Sequence, residues 1–147
     1  MKGVGYPQFY LSGDVVEFPP SWKSKNNSFG SLAHTYIKNC VDNLERMCNT
    51  TFKQANVPMN PLYHPETDTT RLCSPSEHSK HRSLIGSANW MITLGQFDIN
   101  YAVNTLAQYC VAPHVGHLEE LQRIFGYLKL HPRGMLLIDL SEQFCRQ

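Results

Sequence analysis

The 147-residue sequence is short of charge. Lys and Arg number 13 and Asp and Glu number 12, so the net charge is +1 and charged residues make up 17% of the chain. A stand-alone nucleic-acid-binding domain is expected to be clearly basic, whereas a chain this close to neutral has no strong field that attracts a polyanion or a membrane surface. Any contact with nucleic acid would therefore depend on local groups of cations.

Long apolar runs, internal repeats and low-complexity tracts are also lacking. No segment approaches the roughly 20 apolar residues of a membrane helix, and the first residues do not resemble a signal peptide. The five cysteines are odd in number and none belongs to a Cys-x-x-Cys motif. These features favour free thiols in the reducing interior of a cell, without membrane contact.

Motifs for catalysis are scarce too. Two-metal chemistry needs clustered carboxylates, and the sequence contains no Asp-Asp pair. No pattern fixes a Ser or Cys nucleophile, and Gly3-Val4-Gly5 precedes a strand pattern rather than a helix, unlike a phosphate-binding loop. We therefore predict that this chain carries no catalytic residues of its own.

Amphipathic helices occupy the middle of the sequence. Ser74-Pro75-Ser76-Glu77 has the pattern of a capping box with proline at the first helical position, and Gly95 is placed to end that helix. Asp98 is predicted to cap a second helix, and another is predicted from about Val115 to about Leu130. An earlier helix is predicted from Ser31 to about Asn49. The predicted fold is mainly α: a bundle of about four helices with short strands at both ends.

Short strand patterns and one long connection complete the predicted fold. Phe9-Tyr10-Leu11 and Val15-Val16 predict strands near the N-terminus, and Met135 to Asp139 predict one near the C-terminus. Residues 50–73 hold three prolines and predict an extended connection across the bundle. Its predicted anchors are Met59, Leu62 and Tyr63.

Two histidine pairs raise zinc as an alternative. His78-x-x-His81 and His114-x-x-His117 each place two rings on one helix face, with Cys73 and Cys110 nearby in sequence. A structural zinc site takes four such ligands. However, Cys73 precedes the capping box and Cys110 lies on the apolar face of its own helix. Surface or capping histidines are the favoured interpretation, and no metal site is predicted.

Four short motifs occur in a fixed order between Arg82 and Lys129. They are Arg82-Ser83-Leu84-Ile85-Gly86-Ser87, Phe97-Asp98-Ile99-x-Tyr101-Ala102-Val103, Pro113-x-x-x-His117-Leu118 and Arg123-Ile124-Phe125-x-Tyr127-Leu128-Lys129. Together they resemble the C-terminal part of the reverse transcriptase of copia-type LTR retrotransposons. Near the N-terminus, Gly5-x-x-x-Phe9-Tyr10-Leu11-Ser12-x-Asp14-Val15 is similar to a strand at the end of that family's palm.

The resemblance implies a division of the chain into three parts. Residues 1–30 would be a remnant of palm strands and loop, residues 31–132 a helical thumb-like domain, and residues 133–147 the start of a connection toward an RNase H domain. The implied partner is an RNA–DNA or DNA primer–template duplex, held by the parent polymerase inside the cell, in the cytoplasm or a retrotransposon particle. The catalytic carboxylates and their Mg²⁺ would belong to a palm that this chain lacks, so the chain alone is expected to be inactive and without a cofactor.

Two groups of cations are the predicted nucleic-acid contacts. One lies near the start of a helix, whose N-terminus favours anions. The other surrounds the last helix, and thumb helices of polymerases follow the duplex backbone. The predicted contacts are Lys80, His81 and Arg82 in the first group and Arg123, Lys129 and Arg133 in the second.

Three positions depart from the family pattern. The family usually has a basic residue and a proline where Gln96 and Phe97 stand, and often has a basic residue where Gly126 stands. Two alternatives stay open: the chain could be an independently expressed helical protein-interaction module, or a relic without function, with which the departures at Gln96 and Gly126 are compatible.

Overall fold

The computed structural model describes residues 34–132 in full and only the backbone of residues 9–10, 13–18, 28–32 and 135–138. The fully described part is mostly helical, as predicted. Its helices are α1 (His34–Cys48), α2 (Pro75–Thr93), α3 (Asn100–Ala107) and α4 (Val115–Leu130), with 3-10 turns at Pro65–Thr67 and Phe97–Ile99.

Four short strands lie outside this helical part. They are β1 (Phe9–Tyr10), β2 (Gly13–Phe18), β3 (Ser28–Leu32) and β4 (Met135–Ile138), and they pair antiparallel in the order β1-β2-β3-β4. The interpretation of residues 1–30 as a palm remnant and of residues 133–147 as a connection stays a prediction.

The helices α2 and α4 run parallel. At their start, Leu72 and His114 form an antiparallel bridge just before each helix begins. At their far end, the Gln96 side-chain amide donates to the His131 carbonyl oxygen at 3.1 Å. Because α3 leads from the far end of α2 back to the start of α4, it runs antiparallel to both.

The helix α4 lies at the centre of the bundle. Within its sixteen residues only Glu119 and Leu130 are exposed. The predicted apolar stripe is confirmed as part of the core, and the helix is enclosed on its other sides as well. The buried stripe consists of Leu118, Leu121, Ile124, Phe125 and Leu128.

The connection between α1 and α2 packs along α4, although one predicted anchor is wrong. Leu62 is 85% exposed and so does not anchor the connection in the core. The anchor that the sequence pattern missed is Phe52, which is 2% exposed and lies 5.7 Å from Phe125, centroid to centroid. The predicted anchors Met59 and Tyr63 are partly buried against the core.

The predicted helix ends are correct around α2 and wrong at α3. Ser74 and Glu77 form the predicted capping box, and Gly95 has the left-handed φ of 112° that suits a helix stop. Asp98, however, lies inside the 3-10 turn, and no side chain caps α3. Its carboxylate instead accepts hydrogen bonds from Tyr127 of α4 and from Gln96 of the same turn.

Candidate nucleic-acid interface

Two amide groups at the start of α2 are already occupied. The Ser74 hydroxyl accepts from the Glu77 amide at 3.4 Å, and the Glu77 carboxylate accepts from the Ser74 amide at 2.8 Å. The Arg71 guanidinium binds the same carboxylate at 2.7 and 2.8 Å and holds the pKa of Glu77 at about 2. The Glu77 carboxylate therefore occupies the position at which the sequence suggested a bound phosphate.

The start of α4 also carries an internal carboxylate. Asp68 accepts from the Thr70 amide at 2.8 Å, the Thr70 hydroxyl at 2.6 Å and the Tyr63 hydroxyl at 2.5 Å. It lies so close to Gly116 that an added Cβ would be 2.0 Å from Oδ2. Burial alone would raise the pKa of Asp68, but the hydrogen bonds from Thr70 and Tyr63 outweigh burial and lower it. This helix start is likewise satisfied from within.

His117 is a structural residue. Its Nδ1 accepts from the His114 amide at 3.0 Å, so Nε2 carries the proton and donates to the Pro65 carbonyl oxygen at 3.0 Å. The ring also stacks on Tyr109 at 4.3 Å. His117 is 1% exposed, so it caps α4 from inside the core and ties the connection to it.

His78 and His114 also contact backbone carbonyl oxygens of other segments. His78 donates from Nε2 to the Cys110 carbonyl oxygen at 2.6 Å, and His114 Nδ1 lies 2.5 Å from the Thr70 carbonyl oxygen. In the part of the chain that the structure describes, no group of three or more His, Cys, Asp or Glu side chains is arranged to hold a metal ion.

The first predicted group of contacts does not form one cluster. Arg82 is exposed and Lys80 half-buried, and because they are two positions apart on α2 they point to different sides. His81 is fully buried, so in this structure its ring does not reach the surface. Burial, with His117 and His78 nearby, lowers the pKa of His81 to about 4, so the ring is neutral.

Of the second predicted group, Lys129 is occupied inside the fold. Lys129 forms an ion pair with Glu45 of α1 and donates to the Phe52 carbonyl oxygen at 3.3 Å, which ties α4 to α1 and the connection. Arg123 is half-buried, and its buried Nε has no partner among residues 34–132. Arg133 lies outside the described residues.

The structure does not bring Arg82 of the first group and Lys129 of the second group together. With a rise of about 1.5 Å per residue, Arg82 lies about 10 Å and Lys129 about 21 Å beyond the shared starting end of α2 and α4. A single phosphate cannot bridge these positions. The exposed member of the described contacts is Arg82, with Lys80 partly accessible.

One polar cluster was missed by sequence reasoning. Asp98 accepts from the Gln96 amide at 2.8 Å and from the Tyr127 hydroxyl at 2.6 Å, and the same Gln96 amide reaches the His131 carbonyl oxygen. Gln96 is 2% exposed, and its Oε1 is buried without a partner among the described residues. A basic residue at position 96 would therefore meet a carboxylate and a carbonyl rather than a phosphate. The departure from the family pattern at Gln96 was the signal that could have pointed to this cluster.

Replacing Gln96 by lysine is expected to raise the free energy of unfolding by about 1 kcal/mol. The ammonium can donate to both Asp98 and the His131 carbonyl, and the unpartnered Oε1, which costs about 1–3 kcal/mol when buried, is removed. Urea unfolding at neutral pH measures the change. The control Gln96→Leu removes both donors and is expected to be less stable than the wild-type chain; a lysine variant less stable than wild type would contradict the prediction.

Comparison with known proteins adds one similarity. Over 93 residues the chain is 36% identical to a Retrovirus-related Pol polyprotein from transposon RE1 of Arabidopsis thaliana. The match covers 60% of this chain but 6% of the relative, so the chain spans a small part of the relative's length. No protein-family model and no solved structure matches the chain. The similarity supports the interpretation that this protein derives from a copia-type retrotransposon polyprotein.

Proposed function

We propose that this chain is a fragment of a copia-type retrotransposon reverse transcriptase, namely the thumb region that holds the primer–template duplex in the parent enzyme. The observation that carries the proposal is the order and place of the motif residues. Asp98, His117, Tyr127 and Lys129 all make contacts between separate elements of the bundle. Because these motif residues hold the helices of the bundle together, we expect proteins of the parent family that share the motifs to have the same bundle.

This proposal changes which residues are expected to touch nucleic acid. Lys129 is bound to Glu45, and His81 is buried. Lys80 and Arg82 form no ion pair with any residue in the described range 34–132. Contact with the duplex backbone is therefore assigned to Lys80 and Arg82, together with the half-buried Arg123 and with Arg133 as predictions from sequence.

The residues that the structure describes do not fit the Mg²⁺ of a polymerase. Asp68 is engaged by Thr70 and Tyr63, while Asp98 lies in the separate α2–α3 turn and is engaged by Gln96. The two carboxylates thus belong to different hydrogen-bond networks. We propose that the catalytic carboxylates of the parent enzyme are supplied by its palm and that this chain alone does not polymerise.

Binding of an RNA–DNA hybrid at several salt concentrations tests the proposal. The wild-type chain is expected to bind at low salt. Lys80→Gln and Arg82→Gln are each expected to reduce the magnitude of the negative slope of log K against log salt by about one unit or less, because each removes one phosphate contact. Lys129→Gln is the control: its partner is Glu45, so it should lower stability without changing the slope. The proposal fails if the wild-type chain does not bind the hybrid at low salt.

A second candidate function is a protein-interaction module. One observation favours it: Pro58, Met59, Tyr63 and Tyr101 line a single groove on the described bundle.

A further inference from the structure

A groove of about 370 Å³ lies between the connection and the start of α3. The connection forms one wall and the α2–α3 turn with α3 forms the other. The volume is within the range of small ligand sites. The residues that matter for recognition are Pro58, Met59, Tyr63, Glu66, Asp98 and Tyr101.

Apolar side chains make up much of the lining of this groove. Pro58, Met59 and Pro61 line it on the side of the connection, while Tyr101, which is 77% exposed, lines it on the other side. Scattered apolar residues on a surface are ordinary, but a contiguous group with a polar rim marks an interaction site.

The connection wall of the groove is held in place before any partner binds. The Asn60 amide donates to the Glu120 carboxylate of α4 at 3.1 Å, and the Tyr63 amide donates to the Asn60 carbonyl oxygen at 3.0 Å. The Tyr63 hydroxyl is fixed by Asp68, and Pro65 is held through its carbonyl by His117. A wall fixed in this way loses little conformational entropy when it is covered.

The charge of the groove decides between classes of partner. No Lys or Arg lines it, whereas Glu66 and Asp98 do. A nucleic-acid backbone would meet two carboxylates and no cation there, and His64, 3.4 Å from Glu66, offsets charge only when protonated. An apolar surface with an acidic rim instead complements apolar side chains flanked by cations.

We propose that this groove binds an extended peptide segment of another polypeptide that carries aliphatic or proline side chains flanked by Lys or Arg. Tyr101 is the anchor, because it is the most exposed aromatic side chain of the described residues that line the groove, and tyrosine is enriched among residues that dominate binding. Glu66 and Asp98 bind the flanking cations. This function goes beyond duplex holding and uses a different surface from Lys80 and Arg82.

Selection from a phage-displayed library of random dodecapeptides on the immobilised full chain tests the proposal. The selected peptides are expected to be enriched in Lys or Arg together with aliphatic residues or proline. Titration with a synthetic copy of the most enriched peptide then measures affinity. Tyr101→Ser is expected to weaken binding about tenfold or more, the loss typical of an interface anchor. Glu66→Lys should also weaken it, more strongly at low salt.

Val111→Ser is the matched control, because Val111 is 90% exposed and lies after α3, away from the groove. It should bind the peptide as the wild type does, and Tyr101→Ser should leave hybrid binding unchanged. The proposal is overturned by selection no stronger than on the affinity tag alone, by enrichment of acidic peptides, or by unchanged affinity in Tyr101→Ser. It is also overturned if the RNA–DNA hybrid displaces the peptide, or if sedimentation shows a self-association that Tyr101→Ser abolishes.

Discussion

Gly126→Ala is expected to lower the free energy of unfolding by about 2 kcal/mol or more. A Cβ at position 126 would lie 1.8 Å from the Lys53 carbonyl oxygen and 2.9 Å from its carbonyl carbon. Both atoms are backbone, and α4 is enclosed, so relief requires the connection to move away. That movement weakens the packing of Phe52 on Phe125, and the cost exceeds the gain of about 1 kcal/mol in helix propensity on replacing glycine by alanine.

Gly86→Ala provides the matched control for this experiment. Gly86 lies inside α2, and apart from its own helix backbone no atom is within 4 Å of an added Cβ. The same chemical change is therefore expected to raise stability by up to about 1 kcal/mol. Urea unfolding of both variants measures the difference, and equal stability of Gly126→Ala and the wild type would contradict the packing argument.

The close approach at Gly126 also explains a departure from the family pattern in physical terms. A basic residue at position 126 would need space for a Cβ that the Lys53 carbonyl occupies. In this chain, glycine at 126 and the path of the connection at Lys53 depend on each other. The departure therefore concerns the packing of the connection rather than a lost phosphate contact.

Features that depend on neighbouring residues in sequence were predicted well. The capping box at Ser74 and Glu77, the glycine stop at Gly95 and the buried stripe of α4 are all as expected. Each follows from local geometry, because capping and helical periodicity act over a few residues. The helical bundle could therefore be predicted from the sequence.

Features that depend on distant partners were not predictable in the same way. Aspartate is a common helix-capping residue, so Asp98 was expected to cap α3. Its carboxylate instead accepts hydrogen bonds from Gln96 and from Tyr127, which is 29 positions away. Lys129 has the appearance of a surface cation, but Glu45 lies 84 positions away in sequence and beside it in the fold. Polar residues of a helix become structural when another segment covers them, and the single sequence does not show that the connection follows α4.

The pH dependence of stability tests the burial of His81, whose two ring nitrogens have no hydrogen-bond partner among the described residues. Its pKa is lowered from 6.5 to about 4, mainly by burial and further by His117 and His78, which face it from α4 and α2. The unfolded chain therefore binds the proton more readily than the folded chain. The contribution of neutral His81 to the free energy of unfolding is fully present above about pH 6.5 and is lost as the pH falls toward 4.

Between pH 6.5 and 4, the wild-type chain is expected to lose about 2 kcal/mol through His81. The full shift corresponds to about 3 kcal/mol, and entry of water beside the charged ring reduces the loss. His81→Leu removes the titrating group and two unpartnered polar atoms, so it should be more stable by about 1 kcal/mol at pH 7. Its free energy of unfolding should also fall less steeply than that of the wild type as the pH is lowered below 6.5. Urea unfolding at several pH values, with the exposed His34→Leu as control, measures both effects. Parallel profiles for the wild type and His81→Leu would show that His81 does not cause the acid sensitivity.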